Sequence, residues 1–190
     1  MELTKKDIII SVIISELTAL YFIFLFSFNY NWVLAIIFPI LGALGIWISY
    51  LVGKKFLFVY QLAKFLLIGT AAALVDLGIL NLLIFVSGIS VGLWFSVFKT
   101  LSFIIAFSAK FLGDKLWAFE KKEVRGVGRE FSKFFGVTLI GLLINVVVAS
   151  LVVRAGSGLV WANVSGIIAA IATVLWNFPM YKFIVFKKNE

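Results

Sequence analysis

The chain has no cysteine and no histidine. Without thiols there is no disulfide framework and no thiolate nucleophile. Without imidazole, a zinc centre of the usual Cys/His kind is excluded, and so is a Ser–His arrangement. Charge is scarce at 14% of residues, and acids number only 9 in 190. No nucleotide-binding loop and no metal-ligand cluster appears. The expectation is therefore a protein without catalytic residues, metal or cofactor, and not an enzyme.

What is abundant is apolar. The chain is 63% hydrophobic with a mean hydropathy of +1.15, more than a soluble domain of 190 residues is able to hide. A membrane-spanning helix needs about 20 mostly apolar residues. Six runs qualify, at about 8–28, 32–52, 62–86, 92–116, 131–154 and 159–182. Lipid offers no hydrogen bonds to a bare backbone, so each run is expected to be helical. The fold class is all-α: a polytopic transmembrane bundle of about six helices, the last four arranged as two hairpins in parallel repeat. The N-terminal Lys5–Lys6 pair before an apolar run is like a signal peptide, but no small-residue cleavage site follows, and the run is read as an uncleaved first helix.

Basic residues lie on alternate sides of these runs. Of 17 Lys and Arg, 14 fall at Lys5–Lys6, at Lys54, Lys55 and Lys64, from Lys115 to Lys133, and from Lys182 to Lys188. The intervening segments FNYNW, SGISVGL and VRAGSGL hold only Arg154. Cytoplasmic loops retain Lys and Arg, so both termini are expected on the cytoplasmic side of the inner membrane. The net charge of +8 is spread over short loops, with no soluble domain to form a groove. Nucleic acid is rejected as a partner, and the anionic lipid surface is the expected one.

The chain divides near residue 60, into an N-terminal transmembrane hairpin (1–60) and a four-helix region (61–188). The second part repeats. KFLLIGTAAALVD (64–76) aligns with KFFGVTLIGLLIN (133–145) at an offset of 69, matching Lys64 with Lys133, Phe65 with Phe134 and Asp76 with Asn145. Further on the offset is 67, matching Trp94 with Trp161, Lys115 with Lys182 and Phe119 with Phe186. Two-helix repeats keep one orientation and are related by an axis along the membrane normal. The polar stretch 119–130 joins them, either as a solvated linker or as a docking surface for an enzyme or lipid phosphates.

From Tyr60 to Lys188 the chain resembles the GtrA-like family of small membrane proteins. The opening elements are Phe65, Gly69 and Asp76. The closing motifs are KFLGDKLWAF (Lys110, Phe111, Asp114, Lys115, Trp117, Phe119) and NFPMYKFIVF (Asn177, Phe178, Tyr181, Lys182, Phe186). The family pattern Asn-Phe-x-x-Asn-Arg-x-Trp-x-Phe is altered: Lys110 and Asp114 replace its asparagines in the first motif, and Tyr181 and Ile184 replace asparagine and tryptophan in the second. The N-terminal hairpin is an addition. The resemblance implies cell-surface polysaccharide synthesis, with translocation of a polyprenyl-phosphate-linked sugar across the cytoplasmic membrane.

Ionisable residues inside a bilayer are costly and mark function by default. Asp76 lies roughly 18 Å into the third helix, within reach of Lys99 on the fourth. The pair either locks the hairpin or serves substrate. Asp76 and Asn145, at matching positions, are expected to face a shared central cavity. With Lys99 and Asn177 they are the substrate-path candidates, carboxylate and amide oxygens being acceptors for sugar hydroxyls. Lys110, Lys115 and Lys182 are the phosphate-binding candidates, with Lys110 also spaced to meet Asp114. Glu16 is similar to the lone acid of proton-coupled small multidrug transporters, or pairs with a residue such as Lys110, or faces a wet crevice. Trp32, Trp94, Trp161 and Trp117 are expected in the interfacial belts. Pro39 and Pro179 lie within helices, and Pro179 is expected to bend the last one. Gly69, Ala72, Ala73, Gly136, Gly141, Gly166, Ala169 and Ala170 permit close helix approach.

Three functions stand: a translocator of lipid-linked sugar, a scaffold that recruits a membrane glycosyltransferase, and a proton-coupled small-molecule exporter. A homo-oligomer would enlarge the small interior of six short helices.

Overall fold

The computed structural model describes residues 2–26, 31–156 and 158–187, and leaves aside the side chains at 25, 26, 153 and 158–163. Lys188, the side chain of Trp161 and residues 28–30 of the FNYNW segment thus lie outside the described residues. Six long helices form, α1 (Lys5–Phe26), α2 (Asn31–Gly53), α3 (Leu57–Ser87), α4 (Gly92–Gly113), α5 (Val127–Val152) and α6 (Gly158–Met180). All six are long and apolar enough to cross a membrane, and no strand occurs among the described residues.

The ends follow local chemistry. Thr4 and Asp7 form a reciprocal cap on α1: the Asp7 amide donates to Thr4 Oγ1 (3.2 Å), and the Thr4 amide donates to Asp7 Oδ2 (2.9 Å). Gly88 closes α3 in the left-handed conformation (φ 70°), its amide donating to the Ile84 carbonyl at 2.8 Å. The loop 119–130 is shorter than its polarity implies. Gly126 (φ 80°) turns the chain and α5 starts at Val127, with Glu130 in the first turn where the helix dipole favours an acid.

Two compact units result, Met1–Glu120 and Lys121–Glu190. The first holds α1 to α4, and the second holds the α5–α6 hairpin. In each, burial concentrates at one end of a hairpin. Tyr60, Lys64, Phe65 and Ile68 at the start of α3 are buried, as are Phe111, Asp114, Trp117 and Phe119 at and beyond the end of α4. In the second unit the buried set is Phe134 and Val137 of α5 with Phe178, Tyr181, Val185 and Phe186. The opposite end of the α3–α4 hairpin is exposed at Phe85, Val91, Leu93 and Trp94.

The repeat is visible in the backbone. Five-residue π-helical turns follow α4 and α6, at Asp114–Ala118 and Tyr181–Val185. Each is closed by a bond to the fifth residue back: the Phe119 amide to the Asp114 carbonyl (2.9 Å), and the Phe186 amide to the Tyr181 carbonyl (2.8 Å). The two turns stand 67 residues apart, the offset of the closing motifs. Pro179 precedes only the second of them, so proline is not their common cause. What they share is a final phenylalanine turned into the core, Phe119 and Phe186.

Among the glycines expected to bring helices together, Gly141 does so: a Cβ there would collide with the Asn177 side chain. Gly69, Gly136 and Gly166 face open space instead. The close approaches the periodicity did not flag are Gly42, against the Ser11 carbonyl and Ser15, and Gly113, against Ile68.

Candidate functional site: polar groups within the spans

In the first unit, α3 and α4 bring Asp76 and Lys99 together as an ion pair. Ser102, one turn along α4 from Lys99, adds a hydrogen bond from its hydroxyl to Asp76 Oδ1 at 2.6 Å. Ser102 carries no signal of its own in the sequence, although its i,i+3 relation to Lys99 places both on one face. The pair is asymmetric in exposure: the Lys99 side chain is 43% exposed and that of Asp76 19%, while Ser102 is fully buried. The carboxylate is thus anchored from inside while the ammonium stays accessible at the edge of the unit.

The second unit has a neutral counterpart. Asn145, at the position of Asp76, donates from Nδ2 to Thr173 Oγ1 on α6 (3.1 Å), and Thr173 in turn donates to the Ala169 carbonyl at 2.8 Å. One turn beyond Thr173, Asn177 is buried against Gly141, and its Oδ1 accepts no hydrogen bond among the described residues. A buried amide oxygen without a partner is uncommon and calls for a reason.

At the end where α3 begins, a denser network forms. Lys64 is only 2% exposed, and its Nζ lies 2.9 Å from Asp7 Oδ1 and 3.1 Å from Glu120 Oε1. The same ammonium stands over the Tyr60 ring (4.4 Å to the centroid) and the Trp117 ring (5.6 Å). Trp117 Nε1 donates to Asp7 Oδ1 at 2.7 Å. Trp117 is buried, its indole N–H reaching a carboxylate inside. Glu120 takes a left-handed backbone (φ 51°), uncommon for a residue with a side chain.

Lys110 pairs with Asp114 at 2.6 Å and covers the Phe65 ring at 4.2 Å, rather than reaching Glu16. Glu16 is half-buried, makes no ion pair among the described residues, and its Oε2 accepts no hydrogen bond. Lys115 is buried. Lys182, half-buried, lies 5.5 Å from the Phe183 ring centroid.

These features, two like hairpins with a polar group at matched depth and an identical π turn closing each, agree with the comparison to known families. The family described as the GtrA/DPMS transmembrane domain matches residues 64–186. The chain belongs to that family. No curated protein and no solved structure matches it. The GtrA/DPMS match opens at Lys64 and closes at Phe186, so α1 and α2 stand outside it. With six spans, this GtrA/DPMS member is a multi-pass membrane protein of glycoconjugate synthesis.

Proposed function

We propose that this GtrA/DPMS protein translocates a polyprenyl-phosphate-linked sugar across the cytoplasmic membrane. The observation that carries the reading is Asp76, a carboxylate held by Lys99 and Ser102 within an otherwise apolar span. Such a group is expensive in a bilayer, and a hairpin lock alone would be served more cheaply by apolar packing. Its accessible ammonium makes it a site that exchanges partners. Asp76 and Lys99 in the first unit, and Asn145 and Asn177 in the second, are the groups we assign to sugar hydroxyls, Asn177 Oδ1 accepting no hydrogen bond among the described residues. Of the three lysines with a phosphate role, Lys110 is committed to Asp114 and Lys115 is buried. Lys182 is the one we retain as the phosphate ligand of the closing motifs. The protein performs no covalent chemistry in this scheme, and its partners are the lipid-linked sugar and the surrounding lipid.

The test is lipid-linked-sugar flipping in proteoliposomes. Asp76→Asn, nearly isosteric, should slow transfer about tenfold, the effect of losing ~1.4 kcal/mol of substrate stabilisation, while the variant, somewhat less stable for the unpaired Lys99, still elutes as a folded protein. Unchanged flipping in the folded variant removes Asp76 from the mechanism. If charge reversal over 121–129 abolishes glycosylation while flipping persists, the scaffold that recruits a glycosyltransferase becomes the better reading.

A further inference from the structure

A strongly charged cleft lies within the second unit. It is a cleft of about 260 Å³ lined by the linker (Lys121, Glu123, Arg125), the start of α5 (Arg129, Glu130, Lys133) and the chain beyond α6 (Ile184, Lys187). Five cations face two carboxylates, a surplus of three positive charges (5 − 2).

The charges are not equivalent. Lys121 is buried, 2.8 Å from Glu130 Oε1 and donating to the Lys187 carbonyl at 2.6 Å, so it closes the floor of the cleft and ties the linker to the end of the chain. Lys133 donates to the Ile184 carbonyl at 3.3 Å. Arg125, Arg129 and Lys187 have no carboxylate at ion-pair distance among the described residues, and all three are exposed. Their charges are thus available to a ligand, on a frame fixed by the buried Lys121–Glu130 pair. The frame includes the first turn of α5, whose free amides and dipole add to the attraction for an anion. Guanidinium groups suit phosphate because their fork of N–H donors matches two phosphate oxygens at once.

Depth decides what kind of phosphate. The cleft is bounded by the residues that open the apolar run of α5 and by Ile184 and Val185 at the end of the last span. The ends of apolar spans are expected at headgroup level, between aqueous solution and hydrocarbon. At about 30 Å³ per water of liquid volume, the space takes a phosphate or diphosphate with a few waters.

We infer that this cleft is the docking site for the phosphate of a prenyl lipid, held by Arg125 and Arg129 with Lys187 alongside. The inference rests on the translocation reading and deepens it, separating recognition of the headgroup from the path through the spans. Glu123, an exposed acid of the cleft with no ion pair among the described residues, sets a preference for ligands whose sugar hydroxyls are able to donate to it.

The experiment uses the full chain in detergent micelles, with binding followed by native mass spectrometry or thermophoresis. The probes are a short-chain polyprenyl phosphate, inorganic phosphate, and phosphatidylglycerol nanodiscs. Saturable binding of the prenyl phosphate should weaken about tenfold for each guanidinium removed in Arg125→Ala and Arg129→Ala. Arg125→Lys/Arg129→Lys should retain charge yet bind less tightly than the parent, since the fork is lost. Both arginines are exposed and make no ion pair among the described residues, so folding should be unaffected, and an unchanged melting curve checks it. Binding that survives the double alanine variant overturns the assignment. Equal displacement by inorganic phosphate, or equal affinity for phosphatidylglycerol, overturns the prenyl-lipid identity. Since no transport is measured, loss of flipping in Asp76→Asn with prenyl phosphate still bound leaves this site standing. Arginine-dependent binding without any flipping would sink the translocator but not the cleft.

Discussion

Asp7 serves four donors: the Thr4 amide and hydroxyl on Oδ2, Trp117 Nε1 and Lys64 Nζ on Oδ1. One carboxylate thereby caps α1 and neutralises a lysine on α3 that has almost no access to water. Lys133, the counterpart of Lys64 in the second hairpin, has no carboxylate partner among the described residues and stays exposed. The added N-terminal helix is thus what makes burial of Lys64 tolerable. Removing one member of a buried pair leaves an uncompensated charge, so Asp7→Ala should cost about 3 kcal/mol, softened by Glu120. Asp7→Ala/Lys64→Met should be less destabilised than Asp7→Ala alone. Unfolding curves of the four proteins in detergent test this, and simple additivity would show that the two residues do not interact. Sequence alone singled out neither Asp7 nor Ser102, since both gain their meaning from a partner on another helix.

At the scale of elements, the π turns decide where each hairpin's last side chains point. In the second hairpin the turn is held by Tyr181, stacked on Phe134 with ring centroids 4.5 Å apart, its hydroxyl 2.5 Å from Thr138 Oγ1. Phe186 completes the cluster at 6.2 Å from both rings. In the first hairpin the same place is taken by Asp114, with Lys110 supplying a charge and a cation over Phe65 where the second hairpin has an aromatic stack. These are two chemical solutions to one backbone problem. Tyr181→Phe should cost about 1 kcal/mol, the worth of one hydrogen bond, whereas Tyr181→Ala should cost about 3 to 5 kcal/mol through loss of a fully packed ring. Equal effects in thermal melts would mean the hydroxyl, not the ring, holds the turn. The closing motifs could be read from the residues, but the extra backbone residue in each turn could not. An i→i−5 bond leaves no composition signal, and Pro179, expected to bend the last helix, precedes one turn only.

For the whole molecule, charge placement determines orientation. The basic clusters at Lys54–Lys55 and Lys121–Lys122 should lie inside and the Gly88–Val91 turn outside. The natural absence of cysteine gives this test a clean background. Ser90→Cys and Lys122→Cys, both at exposed positions, should differ in labelling by an impermeant maleimide. Ser90→Cys should react in intact cells, and Lys122→Cys only after permeabilisation. Labelling of both from one side would refute the topology.

The apolar runs by themselves determined that the chain crosses a membrane as helices, because length and hydropathy act locally and lipid forbids the alternatives. The repeat and its family were legible because matched polar residues stand out against an aliphatic background. Tertiary structure decided which charges are committed and which are available. Lys64, Lys110 and Lys121 close on carboxylates while Arg125, Arg129 and Lys187 face outward. An ammonium's partner is set by distances of about 3 Å between helices, and nothing in a linear pattern fixes those.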